Sequence, residues 1–391
     1  MNSFTDELNS RLAGLREQNL FRELRRVDSA QGPRIKIGGK TFLNFSSNDY
    51  LGLANHPALK EATIKAVEKF GAGAGASRLI CGSLAPFHEL EESLAAFKQA
   101  DGGGVAGGKR QRRFGTITAL VGKDDIIILD KLVHACIVDA AKLSGAKLRV
   151  FAHNDLDDLK AKLHWAKSQI TNQKGQTLVV TESIFSMDGD FAPLREIVAL
   201  KKKYGAWLMV DEAHATGLYG ANRRGLADEL GVSDRIEIQM GTLGKALGAS
   251  GGYICGSRAL IDFLINRARN FIFSTAPVPT AAAAATAGIR LVQSAEGKSL
   301  NEKLWARVAG FKSEIQNPKS EIAAAIVPII IGDEAKAIAA AAALREQGIF
   351  VPAIRYPTVA RGAARLRVTL TAAHTREDVA QLMTALKTSD Q

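Results

Sequence analysis

AWLMVDEAHATG, residues 206–217, begins as an uninterrupted apolar run that closes on Asp211, with His214 three residues further on. A strand that is apolar without alternation is covered on both faces, the situation of a parallel sheet lying between helices. Four further runs of strand length fit the same scheme: DIIILD (125–130), KLRVFAH (147–153), TLVVTES (177–183) and EIQMGT (237–242). Helical patterns separate them, so the region from about 55 to 280 reads as α/β with a mostly parallel sheet. Ligands of such sheets lie beyond the carboxyl ends of the strands. The residues just past each run are therefore where chemistry is sought.

Outward from this core, residues 1 to about 30 read as an amphipathic helix. RIKIGGKTFLNFS (34–46) reads as a hairpin turning at Gly38-Gly39. Beyond 280 an alanine-rich helix leads into a strand–helix–strand tail, AIVPIIIG, EAKAIAAAAALREQG and RLRVTLT, expected to be a smaller α+β domain. The chain thus divides into an N-terminal helix and hairpin (1–50), a large domain (51–280) and a small C-terminal domain (281–391).

Composition narrows the class. With 46% hydrophobic and 23% charged residues over 391, the chain has the make-up of a globular protein. No apolar run nears the ~20 residues of a membrane span. The N-terminus is charged and lacks the apolar core of a secretion signal. Cys81, Cys136 and Cys255 are widely spaced and odd in number, against a disulfide framework and against a zinc knuckle, and no metal is expected. A cytoplasmic location is expected. The net charge of +11 is spread through helical stretches with no aromatic-interleaved basic stripe, which argues against nucleic acid and membrane partners.

Asp211 closes a buried run and needs a partner, because an unpaired carboxylate there costs several kcal/mol. Alone it is as well explained by a structural ion pair or a cap. Lys245, in GTLGKALGASGG (241–252), follows the next apolar strand and opens at the same end of the sheet. The stretch is not a phosphate-binding P-loop, since Gln239 replaces the first glycine and Ala246 follows the lysine. A surface lysine in a flexible loop is one reading. The other is an amine that forms a Schiff base with an aldehyde cofactor, with glycines admitting a flat ring and its phosphate. Pyridoxal phosphate (PLP) needs an amine for its aldehyde and an anion for its pyridine nitrogen. Lys245 and Asp211 supply both. His134 can stack on a ring or be a satisfied core histidine. Ser186 can reach a ring oxygen or cap a turn. His214 can bond the same oxygen, and Thr242 can offer a hydroxyl to the phosphate.

With these residues in place, the chain resembles the α-oxoamine synthases, PLP enzymes of fold type I that join an amino acid to an acyl thioester. The resemblance runs through NFSSNDYLGL (44–53), GASRLICGS (75–83), FAHNDLDDL (151–159), TESIFSMDGDFAPL (181–194), DEAHATGLYG (211–220), TLGKALGASGGYICGS (242–257), FSTAPVP (273–279) and AIRYPTVARGAARLRVTLTAAHT (353–375). It implies an aspartate-aminotransferase-like fold with a large PLP-binding domain and a smaller α+β domain. NFSSNDYLGL, FAHND and AIR-PTV are most similar to members that condense L-alanine with a pimeloyl thioester, on coenzyme A or an acyl carrier protein, in biotin synthesis. Siblings that use glycine are the alternative. By matching position, Lys245 would hold the cofactor covalently, Asp211 would pair with its ring nitrogen and His134 would stack on the ring. Ser186, His214 and Thr242 would contact its oxygens. Arg355 would bind the amino acid carboxylate with help from Asn48, and Thr358 would lie in the substrate site. Arg22, in the N-terminal helix, would contact the acyl substrate, or be a solvated helix charge beside Arg25 and Arg26. The family implies a homodimer.

One segment departs from the family. Where relatives carry an apolar strand and a small-residue turn that cradles the cofactor phosphate, this chain reads DGGGVAGGKRQRRF (101–114). Glycine is poor inside strands, so a lost or weakened strand is expected there, with an inactive homologue as one consequence.

Overall fold

Strands Ile126–Asp130, Thr177–Glu182 and Ile238–Thr242 are buried at every residue, as continuous apolar runs demand. The computed structural model describes residues 3–105, 109–170, 175–314 and 324–389. Contacts cluster these into two units, one of residues 51–186 and 190–302, the other of 1–50, 187–189 and 303–391.

The first unit is built on a seven-stranded sheet. Its order is Gly102–Val105, Gly252–Gly256, Ile238–Thr242, Trp207–Asp211, Thr177–Glu182, Ile126–Asp130, Lys147–Phe151. Neighbours from Ile238–Thr242 to Lys147–Phe151 run parallel, and Gly252–Gly256 is antiparallel to both its neighbours. All five strands expected from the sequence are present, within two residues of their expected ends. The two strands not expected, GGGV and GYICG, form one margin of the sheet. This is the expected α/β architecture with a mostly parallel sheet.

The expected loss of a strand near 102 is corrected by the structure. Gly102–Val105 pairs fully with Gly252–Gly256, and the glycines are what lets it fit. A Cβ on Gly103 would stand 2.5 Å from the Glu91 carbonyl oxygen, so only glycine allows this strand to lie against helix Ala85–Lys98. Helix Lys109–Leu120 then follows. Residues 106–108, within the 101–114 span where relatives carry the phosphate cradle, lie outside the described residues.

The expected boundary at 280 falls at the start of helix Pro279–Gln293, which belongs to this unit. Its Ala282, Ala284, Ala285, Gly288 and Ile289 are buried, and the helix packs on helices Pro57–Phe70 and Ala85–Lys98. Small side chains permit that close packing, so the alanine run belongs with the large sheet and the unit extends to 302.

The second unit holds two small sheets. Arg34–Ile37 and Lys40–Asn44 form the expected hairpin, with Gly38 and Gly39 both at positive φ, and Ile349–Phe350 adds in parallel. Ile326–Gly332 and Ala353–Ile354 flank Ala364–Thr369, both antiparallel. The N-terminal helix is shorter than expected. It spans Phe4–Glu17, buries none of its residues, and stops as Asn19 turns to φ 55°. Among the described residues no helix is long and apolar enough to cross a membrane, and no disulfide joins the three cysteines.

Candidate active site

Four neighbouring strands of the large sheet deliver the candidate residues at their carboxyl ends. Trp207–Asp211 carries Asp211, which is 1% exposed, and its Oδ1 accepts from the Ala213 amide at 3.0 Å. Three residues on, His214 is buried and its Nε2 faces the Lys245 Nζ in a short hydrogen bond. Lys245 is itself 9% exposed. The surface-lysine reading is therefore set aside, because this amine lies inside the protein with an imidazole as partner.

The loop that carries Lys245 is closed by its own backbone. Leu243 N donates to Gly251 O at 3.0 Å, Ala249 N to Leu243 O at 2.9 Å and Gly248 N to Lys245 O at 2.9 Å. Gly248 sits at φ +66°, and a Cβ there would stand 2.5 Å from the Leu53 Cβ and 2.6 Å from the Leu53 carbonyl carbon. What approaches this glycine is thus the protein's own Leu53, at the end of NFSSNDYLGL. The close approach holds the lysine loop in place. The Thr242 hydroxyl donates to Gly251 O at 3.0 Å and accepts from Gly244 N at 3.3 Å, so its proton closes the loop.

His134 is exposed and begins helix Ala135–Ser144. Its Nδ1 accepts from the Cys136 amide at 3.3 Å, which fixes that nitrogen as the unprotonated one. Its own amide donates to Glu182 Oε1 at 2.7 Å. Glu182 is 2% exposed and pairs in register with Asp211 on the next strand. The core-histidine reading of His134 does not hold, and Glu182 is what places it. Ser186 is half-buried in the loop that follows Thr177–Glu182.

Two further groups were not singled out by the sequence. Glu212 forms a fully buried ion pair with Lys98, accepts from the Ala227 amide at 2.9 Å and so pins the turn between Asp211 and His214. Burial opposes the Lys98 charge, but Glu212 overrides it and raises the ammonium's pKa. His153 sits between Asp130 (2.9 Å from Nδ1) and Asp190 (2.7 Å from Nε2). Burial pulls its pKa down, yet the two carboxylates win and lift it from 6.5 to about 9. Both groups obey the strand-end rule that picked out Asp211. Their signal, a charge just past an apolar run, was legible.

The remaining candidates lie in the second unit. Arg355 is half-buried, and its guanidinium donates to Asn19 O at 2.6 Å and Phe21 O at 2.5 Å. Asn48 does not support Arg355 as expected: its Oδ1 accepts from Arg367 Nη2 at 3.1 Å and from the Tyr50 hydroxyl at 3.3 Å. Arg367 is 6% exposed and also donates to Thr369 Oγ1 at 3.0 Å. Burial pushes Tyr50 up to about 12 against the opposing pull of Arg367, so its phenol stays neutral. Arg22 is not in the N-terminal helix; it follows it, exposed, with Nη2 donating to Tyr356 O at 2.9 Å. Thr358 is exposed, in a turn closed by its amide on Arg355 O at 3.0 Å. Among the described residues no group of three or more His, Cys, Asp and Glu is placed to hold a metal ion.

Comparison with known proteins agrees with this architecture. Residues 40–386 match the family described as Aminotransferase class I and II. The chain is 44% identical over 389 residues to an 8-amino-7-oxononanoate synthase from Geotalea daltonii, covering 99% of this chain and 97% of that protein. It is 45% identical over 382 residues to the one from Anaeromyxobacter dehalogenans, covering 97% and 94%. Among solved structures it is similar to a serine palmitoyltransferase from S. paucimobilis with PLP and myriocin bound. That match has a TM-score of 0.90 and 29% identity over 98% of this chain and 96% of that one.

Proposed function

The chain belongs to the aminotransferase class I and II family and, within it, to the α-oxoamine synthases, and on that premise we propose that it makes 8-amino-7-oxononanoate from L-alanine and a pimeloyl thioester. The reaction forms a bond between the alanine Cα and the acyl carbonyl carbon, breaks the carbon–sulfur bond, and releases the thiol and carbon dioxide. The observation that carries this reading is the buried Lys245 amine against His214, with buried Asp211 three residues before that histidine.

The donor set fits PLP. A nearly buried primary amine, a buried carboxylate at the end of a neighbouring strand and an imidazole with a fixed tautomer are the groups this cofactor needs. Lys245 would hold its aldehyde carbon, Asp211 its ring nitrogen and His134 the face of its ring. When bound, PLP supplies an electron sink for the charge that develops at the amino acid Cα. The chain's own residues do the rest. Asp211 keeps a negative charge where a protonated ring nitrogen is stabilised. His214 offers Lys245 an acceptor, which orients the amine as the base that takes the Cα proton and returns it. Thr242 holds the lysine loop shut, and a phosphate contact from it would displace its bond to Gly251. Ser186 supplies a hydroxyl for a ring or phosphate oxygen.

In the second unit the amino acid carboxylate is assigned to the Asn48–Arg367 pair ahead of Arg355. Arg367 is buried and already carries the amide expected to help, whereas Arg355 is engaged by backbone carbonyls. A buried guanidinium fork binds a carboxylate bidentately, which lysine cannot copy. Arg22 and Thr358 are assigned to the acyl substrate. A second copy of this chain is the expected protein partner, and a cytoplasmic location goes with the reading.

The test is direct. Purified protein is loaded with PLP, reduced with borohydride and mapped by mass spectrometry; the adduct is expected on Lys245. L-Alanine, glycine and L-serine are then added singly, followed by pimeloyl-coenzyme A. Thiol release with alanine alone supports the reading, and release with glycine or serine instead transfers it to a sibling activity.

A further inference from the structure

The second unit contains a groove of about 480 Å³ that none of the roles above uses as a whole. Five arginines line it, Arg16, Arg22, Arg25, Arg345 and Arg355, against one carboxylate, Glu23. Such a concentration of like charge is costly unless an anion answers it. Arg22 and Arg355 are engaged by backbone carbonyls. Arg16 lies over the Phe21 ring at 4.1 Å, a contact that leaves its N–H edges available. The Arg25 and Arg345 side chains make no hydrogen bond or ion pair among the described residues, whereas the adjacent Arg26 is paired with Asp28 at 2.6 Å. Burial, and then the Arg25 charge, hold Arg345 below its ordinary pKa; Arg355 is lowered by burial and then by Arg22 and Arg25. These guanidiniums feel one another and face a common space.

We propose that this groove is an anion subsite for the phosphate groups of the thioester's carrier, with Arg16, Arg25 and Arg345 as the phosphate contacts. The proposal rests on the functional reading above and adds to it a carrier, coenzyme A. Five guanidiniums against one carboxylate suit a ligand with several phosphates, as in the diphosphate and 3′-phosphate of coenzyme A. A carrier protein presents a single phosphodiester on its arm and leaves most of that charge unanswered. A volume of this size accommodates a nucleotide-sized group.

The probe is adenosine 3′,5′-bisphosphate, titrated calorimetrically into the full-length, PLP-loaded protein. The wild type is expected to bind it, with affinity falling as salt rises. Arg25→Gln with Arg345→Gln is expected to weaken binding at least tenfold, and Glu23→Gln to tighten it. Arg26→Gln is the control for general positive charge and is expected to leave binding within twofold. In turnover, the ratio of kcat/KM for pimeloyl-coenzyme A to that for a phosphate-free pimeloyl thioester of N-acetylcysteamine should fall about tenfold in the Arg25/Arg345 variant. Equal bisphosphate affinity in that variant and the wild type overturns the subsite, as does an equal loss in Arg26→Gln. If binding depends on Arg25 and Arg345 but no amino acid triggers thiol release, the subsite stands and the functional reading falls.

Discussion

The loop around Lys245 and the segment around Arg355 both present a cation, but they hold it in different ways. Lys245 extends from a loop anchored on a buried strand, and its charge-bearing atom meets a side chain, His214, placed by the neighbouring strand. Arg355 belongs to the connection between strands Ala353–Ile354 and Ala364–Thr369, and its guanidinium meets backbone carbonyls of the N-terminal segment. A sheet fixes where a side chain emerges to within the pleat, so a chemical role can be inferred from strand order alone. A connecting segment has no such ruler, and the partner of its charge is decided by whatever backbone lies near.

The largest effect that could break this comparison is at Asp211. Asp211→Asn keeps an acceptor for the Ala213 amide and should leave the fold intact, yet lower the rate of alanine condensation about a thousandfold, ~4 kcal/mol of barrier. Turnover within tenfold of wild type would detach Asp211 from the chemistry and return it to the structural reading. The thermal midpoint, measured alongside, tells a chemical loss from a folding one.

Next in size is the buried pair that holds the Asp211–His214 turn. Lys98→Met leaves Glu212 charged with no counterion and should destabilise the protein by about 3 kcal/mol in denaturant unfolding. Lys98→Met with Glu212→Gln removes both charges and should recover most of that loss. A single variant as stable as wild type would mean that Glu212 is held by the Ala227 amide alone.

How far the sequence was legible follows the same division. Trp207–Asp211 and its parallel neighbours were readable because continuous burial demands continuous apolar residues. Gly102–Val105 was not, because its residues answer to the Glu91 backbone pressed against it and not to strand propensity. Helix Pro279–Gln293 was assigned to the wrong unit because alanine suits any helix contact and names no partner. Of the site, Lys245, His214 and Asp211 were found from strand ends. The Asn48–Arg367 bond joins residues 319 apart in sequence, and no local spacing announces it.

His153 sharpens the strand-end side by way of pH. Its raised pKa means that the stabilisation from Asp130 and Asp190 is full below about pH 6.5 and is lost as pH rises through about 9. Unfolding free energy should therefore drop by about 2 kcal/mol over that window, within the ~1.4 kcal/mol allowed per pKa unit. His153→Gln should be less stable at pH 6.5 and lack this drop. An unchanged pH profile in the variant would remove His153 as its source.

The smallest effect decides between the two arginines. Arg367→Lys replaces a buried two-pronged donor that Asn48 orients, and a single ammonium cannot restore both bonds to a carboxylate. The KM for L-alanine is expected to rise about tenfold, ~1.4 kcal/mol, with kcat falling less. Arg355→Lys should change the alanine KM by less than about threefold, because its guanidinium serves Asn19 and Phe21, and lysine can still reach one carbonyl. The opposite ranking would show that the loop arginine turns from its backbone partners to the substrate when alanine binds. The distinction between sheet-fixed and loop-borne charges would then hold for the resting protein and not for the substrate complex.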